Sequence, residues 1–191
     1  MPQQSTLTEA LPRELAEQRF ARLYREHGRE ILGYALRRCP EPEDAADVVA
    51  ETFLAAWRRL PDVPSGGEAR LWLFGAARLI LANQRRGERR RNRLTEHLRA
   101  ELGRQLPAEA PADPSGIHEA LNGLEESDRE LLMLVGWEEL TPAQAARVLG
   151  ITALAARSRL HRARRRLRAR LAEAEGGDPH EIDSGVEEAR R

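Results

Sequence analysis

Apolar side chains return every three or four positions over two long stretches of this chain, and nowhere do they alternate as a half-buried strand requires. That pattern restricts the fold to helices packed on helices. In residues 14–93 it runs through Phe20, Leu23, Tyr24, His27, Ile31, Tyr34 and Leu36, then Val49, Phe53, Ala56 and Leu60, then Leu73, Ala77 and Ile80. In residues 117–174 it runs through Leu131, Leu132 and Leu134, then Ala156, Leu160, Ala163, Leu167 and Leu171. Residues 94–116 between them carry Pro107, Pro111 and Pro114 among Ala, Glu and Asp, with a stretch around Leu98 to Leu106 that reads as helical. The expectation is an all-α chain of two small helical domains joined by a flexible linker. Disordered ends are expected at 1–13 and, with an acidic character, at 175–191. A length of 191 residues suits two modest cores, and no solenoid repeat is present.

The punctuation sharpens this division. Pro40 and Pro42 are expected to end a first helix, and a second follows from about Glu43 to Leu60. Pro61, Pro64, Gly66 and Gly67 make a loop before a third helix that starts near Glu68. In the second block, Ser127 followed by Glu130 reads as a capping box. Thr141, Pro142 and Gln144 give another start signal: a cap, a proline in the first turn and a reciprocal glutamine. Gly150 ends that short helix, and Thr152 caps a long final one.

Composition excludes several functions. No apolar run approaches the roughly 18 residues of a membrane helix, and the start lacks a secretory pattern, so a soluble cytoplasmic protein is expected. The lone Cys39 cannot form an internal disulfide and reads as a packing residue, with a redox role as the lesser alternative. No Cys/His cluster offers a metal site, and no cofactor motif, phosphate loop or nucleophile elbow appears. No catalytic residue, metal or cofactor is therefore expected. Net charge is zero, from 31 basic and 31 acidic residues, but the charges are segregated. Arginines crowd Arg85 to Arg93 and Arg157 to Arg170, while acids crowd the tail after Ala172. Basic stripes on a neutral chain point to specific anionic partners.

Thr141 to Arg166 reads as helix, tight turn, helix. The second helix turns Ala156, Leu160 and Ala163 inward and Ser158, Arg162 and Arg165 outward. Arg157 and His161 flank one edge, and Arg159 the other. A helix of this kind fits the major groove, where arginine can pair bidentately with guanine and flanking arginines neutralise phosphates. Arg168 and Arg170 lie beyond base reach. A solvated arginine-rich helix is the plainer reading, and the capped short helix immediately upstream argues against it.

The first block carries two further surfaces. Asp44, Asp47 and Glu51 form an acidic ridge, which either is merely solvated or docks on a basic protein. On the third helix, Trp72, Asn83, Arg86 and Arg90 fall on one non-core face, with Arg78, Arg85 and Arg89 beside it. An aromatic, an amide and several arginines suit single-stranded DNA, which binds by base stacking and phosphate attraction. Spacing alone also allows Trp72 to be core.

Together these residues resemble the sigma-70 family of RNA polymerase sigma factors, in its extracytoplasmic-function (ECF) group. The run from Asp44 through Asp47, Glu51 and Phe53 to Trp57 is similar to the region 2 signature. Arg70-Leu71-Trp72 through Asn83 and the following arginines is similar to the promoter-melting segment. Leu124 to Leu134, Thr141 to Ile151 and Arg157 to Arg164 are similar to region 4. The resemblance implies a region 2 bundle of three to four helices and a region 4 helix-turn-helix domain of four. It implies core RNA polymerase as partner, gripped through its largest subunit by Asp44, Asp47, Val48, Glu51, Thr52, Phe53 and Trp57, and through the flap of its second-largest subunit by region 4. It implies −10 DNA contacts from Arg70, Trp72, Arg78, Asn83, Arg85, Arg86, Arg89 and Arg90, with a flipped base taken by the loop Pro61 to Glu68. It implies −35 duplex contacts from Thr141, Thr152, Arg157, Ser158, Arg159, His161, Arg162 and Arg165. An anti-sigma factor is a further expected partner. One departure stands out: Leu154, Ala155 and Ala156 replace the family's frequent Gly-Thr-Val, removing a hydroxyl from the recognition helix. The competing reading, a stand-alone helix-turn-helix regulator, accounts for Thr141 to Arg166 but leaves Asp44 to Arg93 without a purpose.

Overall fold

The computed structural model describes residues 12–102 and 116–174, with side chains for 12–87 and 116–173. The chain divides into two compact units, residues 1–104 and 105–191. All regular structure among the described residues is helical. The expected disordered ends at 1–13 and 175–191 fall almost wholly outside the described residues.

In the first unit, α1 (Arg13–Leu36), α2 (Pro42–Arg58) and α3 (Gly67–Leu102) pack around one core, with a short 3₁₀ turn at Leu60–Asp62. The two prolines after α1 act differently from expectation. The helix already stops at Leu36, where the amides of Arg38 and Cys39 both turn back to the Ala35 carbonyl. Pro42 does not end a helix but opens α2 at its first turn, where a missing N–H costs nothing. Glu43 and Asp44 in that turn, and Arg58 in the last, complement the helix dipole.

The core of this unit is Leu23, Ile31 and Tyr34 from α1, Val48, Phe53 and Ala56 from α2, and Leu73, Phe74, Ala77 and Leu81 from α3. Tyr34 and Phe74 meet with ring centroids 5.2 Å apart. Burying such aromatics contributes about 1.5–3 kcal/mol each. Two expectations are corrected here. Ile80 is only half-buried, and the inward stripe of α3 passes instead through Phe74 and Leu81. Leu36, read as inward-facing, is exposed on the side of α1 that α2 and α3 leave uncovered, and Tyr24 is half-exposed at the core's edge, where its ring meets Phe53. Helix α3 runs on to Leu102, into the stretch of 94–116 that reads as helical, and the rest of the expected linker lies outside the described residues.

The second unit contains α4 (Ile117–Asn122), α5 (Glu126–Gly136), α6 (Pro142–Leu149) and α7 (Ala153–Ala174). Leu121, Leu124, Leu131, Met133, Leu134, Leu140 and Val148 close over Ala156, Leu160 and Ala163 of α7. Alanines at the contact, Ala145 and Ala146 on α6 with Ala156 and Ala163 on α7, let the two helices approach closely. The Ser127 capping box does not form. Helix α5 begins at Glu126, so Ser127 lies inside its first turn and its hydroxyl donates to Glu125 Oε1 at 2.9 Å. The Thr141 box does form: Gln144 N donates to Thr141 Oγ1 at 3.3 Å, and Thr141 N to Gln144 Oε1 at 2.9 Å.

Candidate nucleic-acid interface

The turn between α6 and α7 fixes how α7 is presented. Gly150 takes the left-handed conformation, φ 68°, which lets the Ile151 amide reach back to the Ala146 carbonyl at 2.9 Å. Thr152 Oγ1 then accepts from Ala155 N at 3.1 Å and caps α7. With Ala156, Leu160 and Ala163 buried, the opposite side of α7 is left outward. Arg157, Ser158, His161, Arg162 and Arg165 are all exposed there, and Arg162 Nη1 donates to Ser158 Oγ at 3.0 Å.

Arg159 sits differently from its neighbours. It is half-buried and its Nε lies 4.0 Å from Asp128 Oδ1 on α5. Asp128 is buried and also accepts from Arg166 Nη1 at 2.5 Å. One interior carboxylate thus holds two arginines on the rear edge of α7 and sets the roll of the helix. Asp128 escaped sequence reading because its partners are 31 and 38 residues away and no local spacing links them. Thr141, expected at DNA, is engaged in its own capping box, with its exposed side facing solvent.

On the first unit the acidic ridge of α2 is real but narrower than its motif. Asp47 and Glu51 are exposed, and Asp44 is half-buried. Val48, Thr52 and Phe53, expected to touch a partner, are interior instead, at 0%, 0% and 3% exposure. Helical phase turns Phe53 to the side away from the ridge and Val48 and Thr52 to its inner flank, so the three support the ridge from within the unit. The Thr52 hydroxyl donates to the Val48 carbonyl at 2.7 Å and leaves no buried donor unmet. Trp57 is partly exposed and packs edge-on against Phe20 at 5.2 Å, while Phe53 meets Tyr24 at 4.8 Å. Exposed Leu54 stands three positions beyond Glu51 and adds an apolar element that the acidic spacing would have revealed.

The outward face of α3 runs through half-buried Trp72 to exposed Leu79, Asn83 and Arg86. Trp72 is therefore neither core nor free: it lies at the edge of that face. Asn83 Oδ1 accepts from Arg86 Nη2. Arg70 is turned toward α1, its Nε 3.1 Å from Glu30 Oε1 and its guanidinium 5.3 Å from the Phe74 ring centre. Arg85 donates to the Arg38 carbonyl at 3.2 Å, and Arg78 is half-buried. The side chains of Arg89 and Arg90 lie outside the described residues.

Between α1 and the loop before α3 lies an open cavity of about 300 Å³. Arg19, Arg22 and Glu26 line one side and Val63, Pro64 and Ser65 the other. Arg19 donates to the Val63 carbonyl and ties the loop to α1, 44 residues away in sequence. No local motif marks Arg19 or Arg22 as part of this cavity.

The chain is similar to known proteins over both units. The family models for Sigma-70 region 2 and for Sigma-70, region 4 match residues 23–91 and 116–167. The chain is 34% identical over 183 residues to RNA polymerase sigma factor NccH of Alcaligenes xylosoxydans xylosoxydans, covering 87% of this chain and 95% of that one. It is 36% identical over 166 residues to ECF RNA polymerase sigma factor SigL of Mycobacterium tuberculosis, covering 79% and 88%. Among solved structures it is similar to CnrH in complex with the cytosolic domain of CnrY, at 27% identity and a TM-score of 0.58, covering 84% of this chain and 96% of that one. With both domain models matched in order, and relatives matched over nearly their whole length, the chain belongs to the sigma-70 family of RNA polymerase sigma factors, in its extracytoplasmic-function group.

Proposed function

We propose that this sigma factor directs promoter-specific initiation through three separate surfaces of its two units. The ridge of Asp47 and Glu51, with Asp44 beside it and Leu54 and Trp57 at its end, docks on the largest subunit of core polymerase. Acid beside exposed apolar surface suits a basic helical partner, where charge guides approach and the apolar contacts slow departure. Region 4 rests on the flap of the second-largest subunit.

The outward strip of α7 reads the −35 element as duplex. Arg157, Ser158, Arg162 and Arg165 face bases or phosphates, and His161 joins them at the edge. Arg159, drawn toward Asp128, serves the helix's placement more than the DNA. Thr141 and Thr152 act through the caps they form, which fix the angle at which α7 enters the groove.

The α3 face and the neighbouring cavity take the −10 strand after opening. Trp72 stacks on a base, a contact worth about 1–3 kcal/mol, and Asn83 and Arg86 follow the backbone. The cavity beside Ser65 receives a flipped base, with Arg19 and Arg22 near its phosphate. Extrusion costs a few kcal/mol of unstacking, which the cationic contacts and bound polymerase offset.

The family is one of non-enzymatic transcription regulators, and this chain contributes binding while polymerase performs the chemistry. No helix among the described residues is long and apolar enough to cross a membrane. Partners such as polymerase and promoter DNA place its action in the cytoplasm. CnrH is seen with the cytosolic domain of CnrY bound; we extend this to a protein inhibitor of the anti-sigma class for this chain.

The observation that carries the reading is the presence, in one chain, of an exposed acidic ridge on α2 and an exposed arginine strip on a capped helix-turn-helix. Run-off transcription with purified core polymerase on genomic promoter fragments tests it. Discrete transcripts should appear only with the protein, and vanish when Asp47 and Glu51 are both changed to Ala. Duplex binding without polymerase binding or transcripts would instead support a stand-alone regulator.

A further inference from the structure

Leu154 is the most exposed large apolar side chain among the described residues, at 71%, ahead of Leu79 at 56%. It stands in the first turn of α7, immediately after Ala153. Positions 154, 157, 158, 161, 162 and 165 recur at spacings of three and four, so they share one face, and all six are exposed. Leu154 thus heads the same strip that carries Arg157, Ser158 and Arg162. It is the single large apolar group on that strip. It does not serve the core, because the inward seam of α7 passes through Ala156, Leu160 and Ala163.

An exposed leucine cannot bind a phosphate, and water solvates it poorly. In the major groove only one base feature is apolar, the C5-methyl group of thymine. Residues at the N-terminal end of a recognition helix approach base edges most closely. The neighbouring Ala155 is small and also exposed, so it does not hold Leu154 away from the groove floor.

We infer that Leu154 is a specificity-determining residue that reads a thymine methyl in the −35 duplex, next to the bases met by Arg157 and Ser158. The inference rests on α7 entering the major groove, as proposed above. It also gives the apolar Leu154-Ala155 pair a role in place of the hydroxyl absent from this turn: a methyl contact substitutes for a hydrogen bond, and the preferred base changes with it.

The test uses the full chain bound to core polymerase. A −35 duplex is first selected from promoters randomised over that element. Each thymine of the selected element is then replaced singly by deoxyuridine, which lacks only the methyl, and binding is measured for the wild type and Leu154→Ala. At one thymine the replacement should weaken the wild type by roughly fivefold, the order expected for a partly buried methyl. The Leu154→Ala variant should bind the two duplexes equally. Because Leu154 is exposed, its circular dichroism and melting temperature should match the wild type. Deoxyuridine that changes nothing at any position, or that weakens both proteins equally, overturns the inference. Arg157→Ala and Arg162→Ala variants separate the two levels of failure. If they neither change the selected −35 sequence nor weaken duplex binding, the groove reading of α7 falls and the inference with it. If they change the selected sequence or weaken duplex binding while deoxyuridine stays silent, only the role of Leu154 falls.

Discussion

Helices α3 and α7 handle their described arginines differently. On α3 the described arginines are largely turned inward: Arg70 pairs with Glu30, Arg85 donates to the Arg38 carbonyl, and Arg78 is half-buried. On α7, Arg157, Arg162 and Arg165 stand exposed, and only the rear pair, Arg159 and Arg166, is gathered by Asp128. The contrast is what the proposed reading of two kinds of DNA calls for. A duplex offers a regular groove and dense phosphates, so an outward arginine strip meets it without rearrangement. A melted strand offers base faces, and the face proposed to meet it presents Trp72, Leu79 and Asn83 with one outward arginine, Arg86, among the described residues.

The sharpest way to break this comparison is to destroy one unit and ask whether the other survives. Phe74→Ala removes a fully buried ring from the first core and should cost about 3–5 kcal/mol. Amide exchange protection should then collapse over 13–87 and persist over 117–173. Loss in both would show that the units do not fold separately. A second experiment sharpens the duplex half. Removing Arg157, Arg162 and Arg165 one at a time should cost a base-reading arginine about 1–3 kcal/mol at a single position of the −35 element. A phosphate-reading one should instead flatten the slope of log K against log salt by about 0.9 and weaken all sequences alike.

Asp128→Ala should cost about 1–2 kcal/mol, since both its arginines can regain water when released. It should also raise affinity for non-specific duplex, because Arg159 and Arg166 become available to phosphates. Unchanged non-specific binding would mean that the carboxylate does not withhold them. The smallest effect belongs to Thr141→Ala, about 1 kcal/mol from the lost cap, read as a lower melting temperature of the second unit. The corresponding Ser127→Ala should be nearly silent, because Ser127 caps nothing.

Much of this was legible in the chain. The helix-turn-helix follows from Thr141, Gly150 and Thr152, whose caps are formed by neighbours three or four residues away. The acidic ridge and the arginine strip follow equally from spacing along a single helix. What spacing could not tell was depth. Val48, Thr52 and Phe53 belong to the same motif as Asp47 and Glu51, yet α1 and α3 cover them.

The sequence alone determined the helical class, the two-unit division and the outward phase of the acidic ridge on α2 and the arginine strip on α7, because helix phase and capping are local properties of consecutive residues. Only the tertiary structure decided which motif residues can be reached. Arg70 meets Glu30 across 40 residues, Arg166 meets Asp128 across 38, and Arg19 ties down the Val63 loop across 44. Such pairings depend on how neighbouring helices lie against one another, and the spacing within any one of them carries no record of it.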